Sequence, residues 1–397
     1  MSYHFSSQRH GRSANSPINH RRPVAKRNSF KQYINPSNFV RAAKSADEVA
    51  YVPQHNFADF AFNSLIKANL TAKGITTPTP IQDQTLSYGL AGRDVIGIAN
   101  TGTGKTIAYA VPVLEKLMQS RQNHALIVVP THELAQQIDA ECRSLARNSG
   151  LSGALLIGGS PMGRQQRDLR DKPQIVIGTP GRIKDHLEHR SLDLSNFNIA
   201  VLDEVDRMLD MGFVNDVRLI LKHLPEIRQS FFFSATIDDK VNELIKSFAR
   251  EPISISVKTG DTADMVEQNT VLYKTNSEKI DKLHNLLIND VSKALVFGET
   301  QRSVERLSQE LQSRGFQADA IHGGKSQGQR QRALQRFKSN EIDILVATDV
   351  AARGIDITDI SHVINYSTPH SYDDYIHRIG RAGRAGKKGY ALTFVES

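Results

Sequence analysis

Short runs of apolar residues recur along most of the chain, and stretches with a helical apolar stripe separate them. Runs this short, rich in Val, Ile, Leu and Phe, are typical of strands that are buried on both faces of a parallel sheet. They form a first series, at 94–98, 125–129, 153–157, 174–177, 198–202 and 230–233, and a second, at 294–297, 318–321, 343–346, 362–365 and 390–394. Amphipathic helices are predicted between them, for example over 133–145 and 206–221. The alternation predicts an α/β fold with helices on both faces of parallel sheets.

The pattern is interrupted once, between residues 250 and 268. This segment contains Pro252 and a polar run over 258–264, which favours an exposed linker. We therefore predict two tandem α/β domains, over 51–257 and 265–397, joined by a short linker.

Residues 1–50 differ from the rest of the chain in composition. They mix Ser, Asn, Pro, His and Arg without periodicity, which predicts a disordered arm. Nine Lys and Arg against two Asp and Glu give this arm a net charge of +7, out of +8 for the whole chain. The arm is either a nonspecific attractant for phosphate groups or a solubilising leader. Because the remainder is nearly neutral, a nucleic-acid site there must depend on local arrangement.

Composition excludes several classes of protein. No run approaches the roughly 18 apolar residues of a transmembrane helix, and the first residues lack the apolar core of a secretory signal. The one cysteine, Cys142, cannot form an internal disulfide or a multi-cysteine zinc site. We therefore expect a reducing compartment, the cytoplasm, and no membrane partner.

The first apolar run is followed by a sequence typical of a phosphate-binding loop. It reads Ala99, Asn100, Thr101, Gly102, Thr103, Gly104, Lys105 and Thr106. Glycines let backbone N–H groups curl around a phosphate, and the helix that follows points its positive end at the anion. Lys105 is expected to reach the terminal phosphates and the Thr106 hydroxyl to bind Mg²⁺. The strict pattern has Gly where Ala99 stands, but the Gly-Lys-Thr core is intact.

Carboxylates and hydroxyls follow two later runs of the first series. Asp203 and Glu204 come directly after the fifth run. A phosphate-loop enzyme needs one carboxylate there for Mg²⁺ and one group to orient the attacking water, and we assign Asp203 and Glu204 to these tasks in that order. Ser234 and Thr236 follow the sixth run and are either helix caps or a link between hydrolysis and movement.

The residues after three other apolar runs can present backbone N–H groups to a phosphate. Thr131 and Pro180 stand where helices are predicted to begin, and Gly159 follows a third run. Because helix N-termini bind phosphates, these ends can track the backbone of a single nucleic-acid strand. Ordinary helix capping is the alternative.

Arginines at a three-residue step stand near the end of the second series: Arg378, Arg381 and Arg384, with glycines between them. We predict that they lie in solvent or contact anions rather than belong to the core. An arginine that reaches a terminal phosphate neutralises charge that develops in phosphoryl transfer. If Arg381 and Arg384 complete the site of the first domain, hydrolysis requires the two domains to close on each other.

The motifs of residues 57–397 together resemble those of the DEAD-box ATP-dependent RNA helicases of superfamily 2. Residues 55–83 resemble the Q motif of that family. The other motifs follow in the family's order, at 99–106, 130–135, 158–159, 179–182, 203–206, 234–236, 296–298, 322–324, 347–356 and 377–384. The resemblance implies two RecA-like domains, ATP and Mg²⁺ as cofactors, and a monomer. It also implies sequence-independent binding of single-stranded RNA or a short duplex, alone or within ribonucleoproteins.

The resemblance implies roles for individual residues. The ATP site comprises Phe57, Gln82, Ala99, Asn100, Thr101, Gly102, Thr103, Gly104, Lys105, Thr106, Gly354 and Asp356. Lys105, Asp203, Glu204, Arg381 and Arg384 are the catalytic residues, and Thr106 and Asp203 are the metal ligands. The RNA groove comprises Thr131, Gly159, Thr179, Gly181, Arg182, Arg330 and Thr348. Asp206, Ser234, Thr236 and His377 couple the two sites.

Two residues depart from the family's pattern. Val205 stands where the family has Ala, so the motif reads Asp-Glu-Val-Asp, and both reactive carboxylates remain. His132 stands where the family has Arg. A neutral imidazole is a poorer partner for phosphate, so we expect weaker or more pH-dependent RNA binding, around the usual His pKa of about 6.5. Since the sequence ends soon after the last strand, additional RNA affinity is expected from the basic arm alone.

Three functions stay open at this point. The first is an RNA-stimulated ATPase that separates short duplexes locally, without translocation, or remodels ribonucleoproteins. The second is an ATP-dependent RNA clamp with little unwinding. The third is a DNA-directed helicase of the same superfamily, against which the Q motif and the Thr-Pro-Gly-Arg segment argue.

Overall fold

Two parallel sheets organise the molecule. The computed structural model describes residues 34–42, 51–100, 102–257, 266–289, 291–352, 357, 359–383 and 388–397. Residues 34–397 form one compact unit, and neighbouring strands within each of the two sheets run parallel. The predicted fold, two tandem α/β domains with parallel sheets, is therefore confirmed. We call them the first lobe and the second lobe.

The first lobe contains a seven-stranded sheet in the order β3-β4-β2-β5-β6-β1-β7. Its strands are β1 (Val95–Ile98), β2 (Ala125–Val128), β3 (Gly153–Leu156), β4 (Ile175–Gly178), β5 (Ile199–Leu202), β6 (Gln229–Ser234) and β7 (Ile253–Ser256). Its helices are α1 (Ser64–Ala72), α2 (Pro80–Leu90), α3 (Lys105–Gln119), α4 (His132–Leu145), α5 (Met162–Arg170), α6 (Pro180–Glu188), α7 (Val205–Asp210), α8 (Val214–His223) and α9 (Asp239–Phe248).

The second lobe contains a six-stranded sheet in the order β10-β11-β9-β12-β13-β8. Its strands are β8 (Val266–Tyr273), β9 (Ala294–Phe297), β10 (Ala318–Ile321), β11 (Ile344–Ala347), β12 (His362–Asn365) and β13 (Gly389–Glu396). Its helices are α10 (Asn276–Asn289), α11 (Gln301–Ser313), α12 (Gln327–Lys338), α13 (Asp349–Ala352) and α14 (Tyr372–Ile379).

Apolar clusters cover both faces of each sheet. Successive strand residues point to opposite faces, so Phe231 and Phe233 belong to one cluster of the first lobe and Phe232 to the other. Strands β2, β4 and β5 are buried at every residue, which explains why their sequences are continuously apolar. None of the helices in the described parts of the chain is long and apolar enough to cross a membrane.

Strands β7 and β8 were not predicted as strands, although they lie inside the predicted domains, 51–257 and 265–397. The polar run over 258–264 lies outside the described residues. Both strands are at an edge of their sheet. In β7 only Ile255 is fully buried, and the two serines are exposed, so the strand lacks the apolar run that marks a central strand. The helix predicted over 206–221 is also divided, since Gly212, with φ at 85°, ends α7 and turns the chain into α8.

The predicted disordered arm is wrong for residues 34–42. Pro36–Phe39 form a short 3-10 helix, and the side chain of Asn35 caps it by accepting a hydrogen bond from the Ser37 N–H at 3.1 Å. Phe39 is buried in the core of the second lobe. A single anchoring side chain in a polar segment produces no periodic pattern, which is why the sequence did not indicate this contact. The remainder of the predicted arm lies outside the described residues.

Candidate active site and nucleic-acid groove

The predicted phosphate loop lies at the carboxyl end of β1 and leads into α3. Gly104 begins that helix with φ at 89°, and a Cβ atom there would lie 2.4 Å from Nε2 of Gln82, so glycine alone fits. Lys105 is 7% exposed, and its Nζ has no hydrogen-bond partner among the described residues. A buried ammonium group is costly without a partner, so this atom fits a phosphate oxygen.

The other predicted residues of the phosphate loop lie between β1 and the first turn of α3. The Ala99 N–H donates to the carbonyl oxygen of Ser234 at 3.0 Å, which ties the loop to the end of β6. The structure places Asn100, Gly102 and Thr103 in the loop and Thr106 in the first turn of α3, whereas Thr101 lies outside the described residues.

The Q-motif glutamine holds the phosphate loop. Gln82 is 2% exposed. Its Nε2 donates to the Gly104 carbonyl at 3.0 Å, and its Oε1 accepts from the Thr79 N–H at 2.9 Å. The amide therefore contacts the loop here, and its predicted contact with ATP stays a prediction. Phe57 is buried in the core of the first lobe.

Asp203 lies at the carboxyl end of β5, beside the phosphate loop. Its Oδ2 accepts a hydrogen bond from the buried Tyr109 hydroxyl at 3.0 Å, and its Oδ1 accepts from the Glu204 N–H at 2.9 Å. Burial raises the pKa of Asp203 to about 6, against the opposing effect of Lys105. Tyr109 was not predicted as a site residue, because it lies within the apolar sequence of α3 and gives no local signal.

Glu204 occupies a strained position between β5 and α7. Its φ is 53°, in the left-handed region that residues other than glycine rarely adopt. Burial alone would raise its pKa, but the charges of Arg207, Lys105 and Arg381 together lower the pKa to about 2. Arg207 forms a hydrogen-bonded ion pair with Glu204 within the buried site. Sequence reasoning missed Arg207, although its place three residues after Glu204 on a helix was a usable signal.

Asp206 connects two of the predicted motifs. Its Oδ2 accepts from the N–H groups of Ala235 and Thr236 at 3.0 and 2.9 Å, and from the Thr236 hydroxyl at 3.2 Å. Its own N–H donates to the Ser234 hydroxyl at 3.2 Å. The three residues predicted to couple the sites from the first lobe are thus in direct contact.

A small cavity lies where the two lobes meet. It is lined by Lys105, Glu204, Asp206, Arg207, His377 and Arg381, among others. Its volume is about 20 Å³, enough for one water molecule. Side chains from both lobes therefore converge on a water-sized space beside the phosphate loop, as the predicted closure of the two domains requires.

The arginine motif is more buried than predicted. Arg378 and Arg381 are 2% and 4% exposed, so the first of the two predicted alternatives, a position in solvent, does not apply to either. Arg378 contacts an anion within the second lobe, because its Nε and one terminal nitrogen donate to the two oxygens of Asp349 at 2.6 and 2.7 Å. Arg384, Gly354 and Asp356 lie outside the described residues.

The donor set at this site fits Mg²⁺ carried by a nucleotide. No group of three or more His, Cys, Asp and Glu side chains that would hold a metal is found in the described part of the chain. Mg²⁺ is usually held by one or two carboxylates together with phosphate oxygens and water. Asp203 and the Thr106 hydroxyl would supply the protein ligands. The Lys105 ammonium, which has no hydrogen-bond partner in the described part of the chain, would contact the phosphate oxygens.

A second cavity, of about 350 Å³, contains much of the predicted RNA groove. Its lining includes Thr131, Thr179, Gly181, Arg182 and Arg330. Thr131 caps the start of α4 and accepts a hydrogen bond from the Leu134 N–H at 3.3 Å, and α6 begins at Pro180, as predicted. Gly159 and Thr348 do not line this cavity. Two helix N-termini thus face one groove and offer it backbone N–H groups.

An ion pair joins the lobes inside this groove. Arg330 of α12 contacts Oε1 of Glu133 in α4 at 2.6 Å, and Gln327 donates to Gln136 at 3.3 Å. Arg330 was predicted to contact RNA, and in this structure its charge is already paired. Glu133 was not predicted as a site residue.

His132 lines the groove and also contacts its backbone. Its Nε2 accepts a hydrogen bond from the Gly158 N–H at 3.1 Å, so the ring is neutral at that nitrogen. Burial lowers the pKa of His132 below 6.5, and Arg330 and Arg182 lower the pKa further, against the charge of Glu133. The sequence expectation of titration near 6.5 is therefore displaced to more acidic pH.

Comparison with known proteins gives consistent matches. Residues 79–244 match the family model of the DEAD/DEAH box helicases, and residues 278–386 match the helicase conserved C-terminal domain. The ATP-dependent RNA helicase CshA of Listeria monocytogenes is 45% identical over 343 residues, which cover 86% of this chain and 66% of CshA. This chain therefore spans about two thirds of the length of that relative.

Solved structures of other proteins are similar to this chain over most of their length. Dbp5 of S. cerevisiae, bound to RNA and ADP BeF3, is 28% identical, with a TM-score of 0.76 over 86% of this chain and 89% of that chain. A DEAD box protein from the hyperthermophile Methanococcus jannaschii is 38% identical, with a TM-score of 0.51 over 86% of this chain and 93% of that chain. Both helicase models match, and this chain covers 93% of the 38% identical Methanococcus jannaschii protein. The chain therefore belongs to the DEAD-box helicase family.

Proposed function

We propose that this protein is an ATP-dependent RNA helicase, a cytoplasmic monomer that hydrolyses ATP in response to RNA and separates short duplexes locally. The observation that carries the proposal is the water-sized cavity at which Lys105 and Glu204 of the first lobe meet Arg381 of the second. A site divided between two lobes is complete only when they are closed, so binding that favours closure favours hydrolysis.

Each residue of the site has a task that its surroundings support. Lys105 and the backbone N–H groups of the loop would hold the phosphates, and Thr106 and Asp203 would hold Mg²⁺, which would neutralise part of the negative charge on the phosphate oxygens. Glu204 is ionised at neutral pH, because its pKa is lowered to about 2. A carboxylate this weakly basic orients the attacking water as a hydrogen-bond acceptor. Arg381 neutralises charge that develops on the terminal phosphate.

The groove between the helix N-termini is the proposed RNA site. Two similar structures, Dbp5 and Mss116p, hold RNA together with a nucleotide, and the CshA relative is an RNA helicase by name. Contacts through backbone N–H groups reach phosphate and sugar, which makes binding independent of base sequence. Closure around one strand bends it, and a duplex cannot follow that bend.

The test is the ATP hydrolysis rate with and without single-stranded RNA, for the wild type and Glu204→Gln. This change removes the water-orienting carboxylate and keeps the shape, so turnover should fall by roughly 100-fold or more while ATP binding persists. Glu226→Gln, at an exposed position of the same lobe, is the matched control. Equal turnover in Glu204→Gln and in the control would contradict the proposed mechanism.

Two further measurements separate the related functions. Stimulation by a DNA strand of the same sequence, equal to that by RNA, would indicate a DNA-directed helicase. Strand separation of a short RNA duplex with ATP, compared with a non-hydrolysable analogue, distinguishes a helicase from a clamp. Tight RNA binding without strand separation would favour the clamp.

A further inference from the structure

A segment that precedes the first lobe in sequence packs on the second lobe. Phe39 is 1% exposed there. Its ring lies 4.8 Å, centroid to centroid, from that of Tyr375 in α14, and it belongs to the same core cluster as Val266 of β8. An aromatic side chain buried this completely fixes the segment to the lobe.

Backbone hydrogen bonds fix the same segment to the edge of the second sheet. The Arg41 N–H donates to the Gln268 carbonyl at 3.0 Å, and the Gln268 N–H donates to the Arg41 carbonyl at 2.8 Å. Gln268 lies in β8, the edge strand. The segment thus occupies part of an edge that would otherwise expose unpaired backbone groups.

Only a short stretch of sequence separates this segment from the first lobe. Eight residues, 43–50, connect Ala42 to Tyr51. The Tyr51 hydroxyl donates to Oδ2 of Asp83 in α2 at 2.6 Å. The second connection between the lobes, over 258–265, also has eight residues.

We propose that residues 34–42 form a strap, a second connection that limits how far the two lobes separate. With Phe39 seated, the nine Cα–Cα steps from Ala42 to Tyr51 span at most about 30 Å. A limit on separation raises the effective concentration of Arg381 at the site of the first lobe. Neither family match, over 79–244 and 278–386, reaches this segment.

The strap lowers the amount of RNA that is needed for closure. Binding must bring the lobes together, and a restricted open state loses less conformational freedom in doing so. This consequence rests on the proposed RNA-stimulated hydrolysis, whereas the limit on separation does not. The two are therefore measured separately.

The first measurement is the radius of gyration by small-angle X-ray scattering, without nucleotide or RNA. Phe39→Ala removes the buried anchor, and Arg41→Pro removes the N–H donor without opening a cavity in the core. Both should increase the radius, whereas Val40→Ala, at the 53% exposed neighbour, should not. If Phe39→Ala and Arg41→Pro both have the radius of Val40→Ala, the strap is overturned.

The second measurement separates a tether from a packing contact. A flexible Gly/Ser insertion of about 20 residues between Lys44 and Ser45 keeps every contact of the strap and lengthens the connection. The same insertion between Tyr33 and Ile34 is the matched control. Only the first insertion should increase the radius and raise, by roughly threefold or more, the RNA concentration for half-maximal hydrolysis. Equal behaviour of both insertions would overturn the tether.

The two proposals fail in different ways. If the wild type hydrolyses ATP at the same rate with and without RNA, the proposed function fails, and the scattering measurement still decides on the strap. If RNA stimulates the wild type and every strap variant keeps its radius and its RNA dependence, the strap alone fails.

Discussion

At the residue scale, the reactive groups depend on neighbours that no motif includes. Asp203 and Glu204 have displaced pKa values in opposite directions, because burial dominates for the first and Arg207 with other cations for the second. Each carboxylate also has one side-chain donor beside it, Tyr109 for Asp203 and Arg207 for Glu204. The residues that perform the proposed chemistry are predictable from sequence. Of those that position them, Arg207 has a local signal, three residues after Glu204, whereas Tyr109 has none.

Removal of the Tyr109 hydroxyl should weaken Mg²⁺ binding. Tyr109→Phe keeps the packing against Phe233 and removes a hydrogen bond to a buried carboxylate, worth roughly 1.5–3 kcal/mol. We expect the Mg²⁺ concentration that half-saturates nucleotide binding to rise roughly tenfold. Titration of a fluorescent ATP analogue at varied Mg²⁺ measures this. Tyr375→Phe, an equally buried tyrosine of the second lobe, is the control, and an equal Mg²⁺ response in both variants would refute the positioning role.

Protonation of His132 should destabilise the first lobe in acid. Its pKa is lowered in the folded state below 6.5, so the unfolded chain binds the proton first as pH falls. The contribution of the neutral ring is complete above about pH 6.5 and is lost below it. The difference in urea midpoint between wild type and His132→Gln should therefore shrink from pH 7.5 to pH 5.5. A constant difference across that range would argue against a lowered pKa.

At the scale of elements, close packing of strands restricts residue size at single positions. Gly97 in β1 faces the ring of Phe233 in the neighbouring β6, and a Cβ atom there would lie 2.3 Å from that ring. The fully buried central strands were found from their apolar runs, whereas the edge strand β7, with one buried residue, was not. Strands with an apolar run were thus predicted, the edge strands β3 and β10 among them, whereas β7, in which exposed serines alternate with isoleucines, was not.

Gly97→Ala should destabilise the first lobe by roughly 1–3 kcal/mol, because a buried aromatic ring must move. Gly163→Ala in α5 is the matched control, since its Cβ would meet no atom within 4 Å and alanine favours a helix. The two changes should move the urea midpoint in opposite directions. A midpoint that is unchanged in Gly97→Ala would show that the sheet adapts without cost.

At the scale of the whole molecule, the lobes are joined by contacts as well as by chain connections. The Glu133–Arg330 pair has little solvent exposure, and it lies in the groove where RNA is proposed to bind. Such a pair stabilises closure only if both partners are present, because a lone buried charge is costly. Closure is therefore coupled to an ion pair in which the first lobe supplies the carboxylate and the second lobe supplies the guanidinium group.

A double-mutant cycle tests this coupling. Glu133→Gln, Arg330→Gln and the double variant are compared for affinity to single-stranded RNA with a non-hydrolysable ATP analogue. We expect each single change to weaken binding, and the double change to cost less than their sum, with a coupling energy of about 1 kcal/mol or more. Strict additivity would mean that the pair does not contribute to closure.

The sequence by itself determined the central strands, the phosphate loop, the carboxylates after β5 and the two-lobed plan, because each is specified by residues adjacent in the chain. The tertiary structure alone decided that Tyr109 contacts Asp203, that Arg330 pairs with Glu133 and that Phe39 enters the second lobe. These contacts join residues far apart in sequence, and no local periodicity records them. Distant partners become neighbours only when burial has fixed both lobes, so their chemistry is a property of the fold.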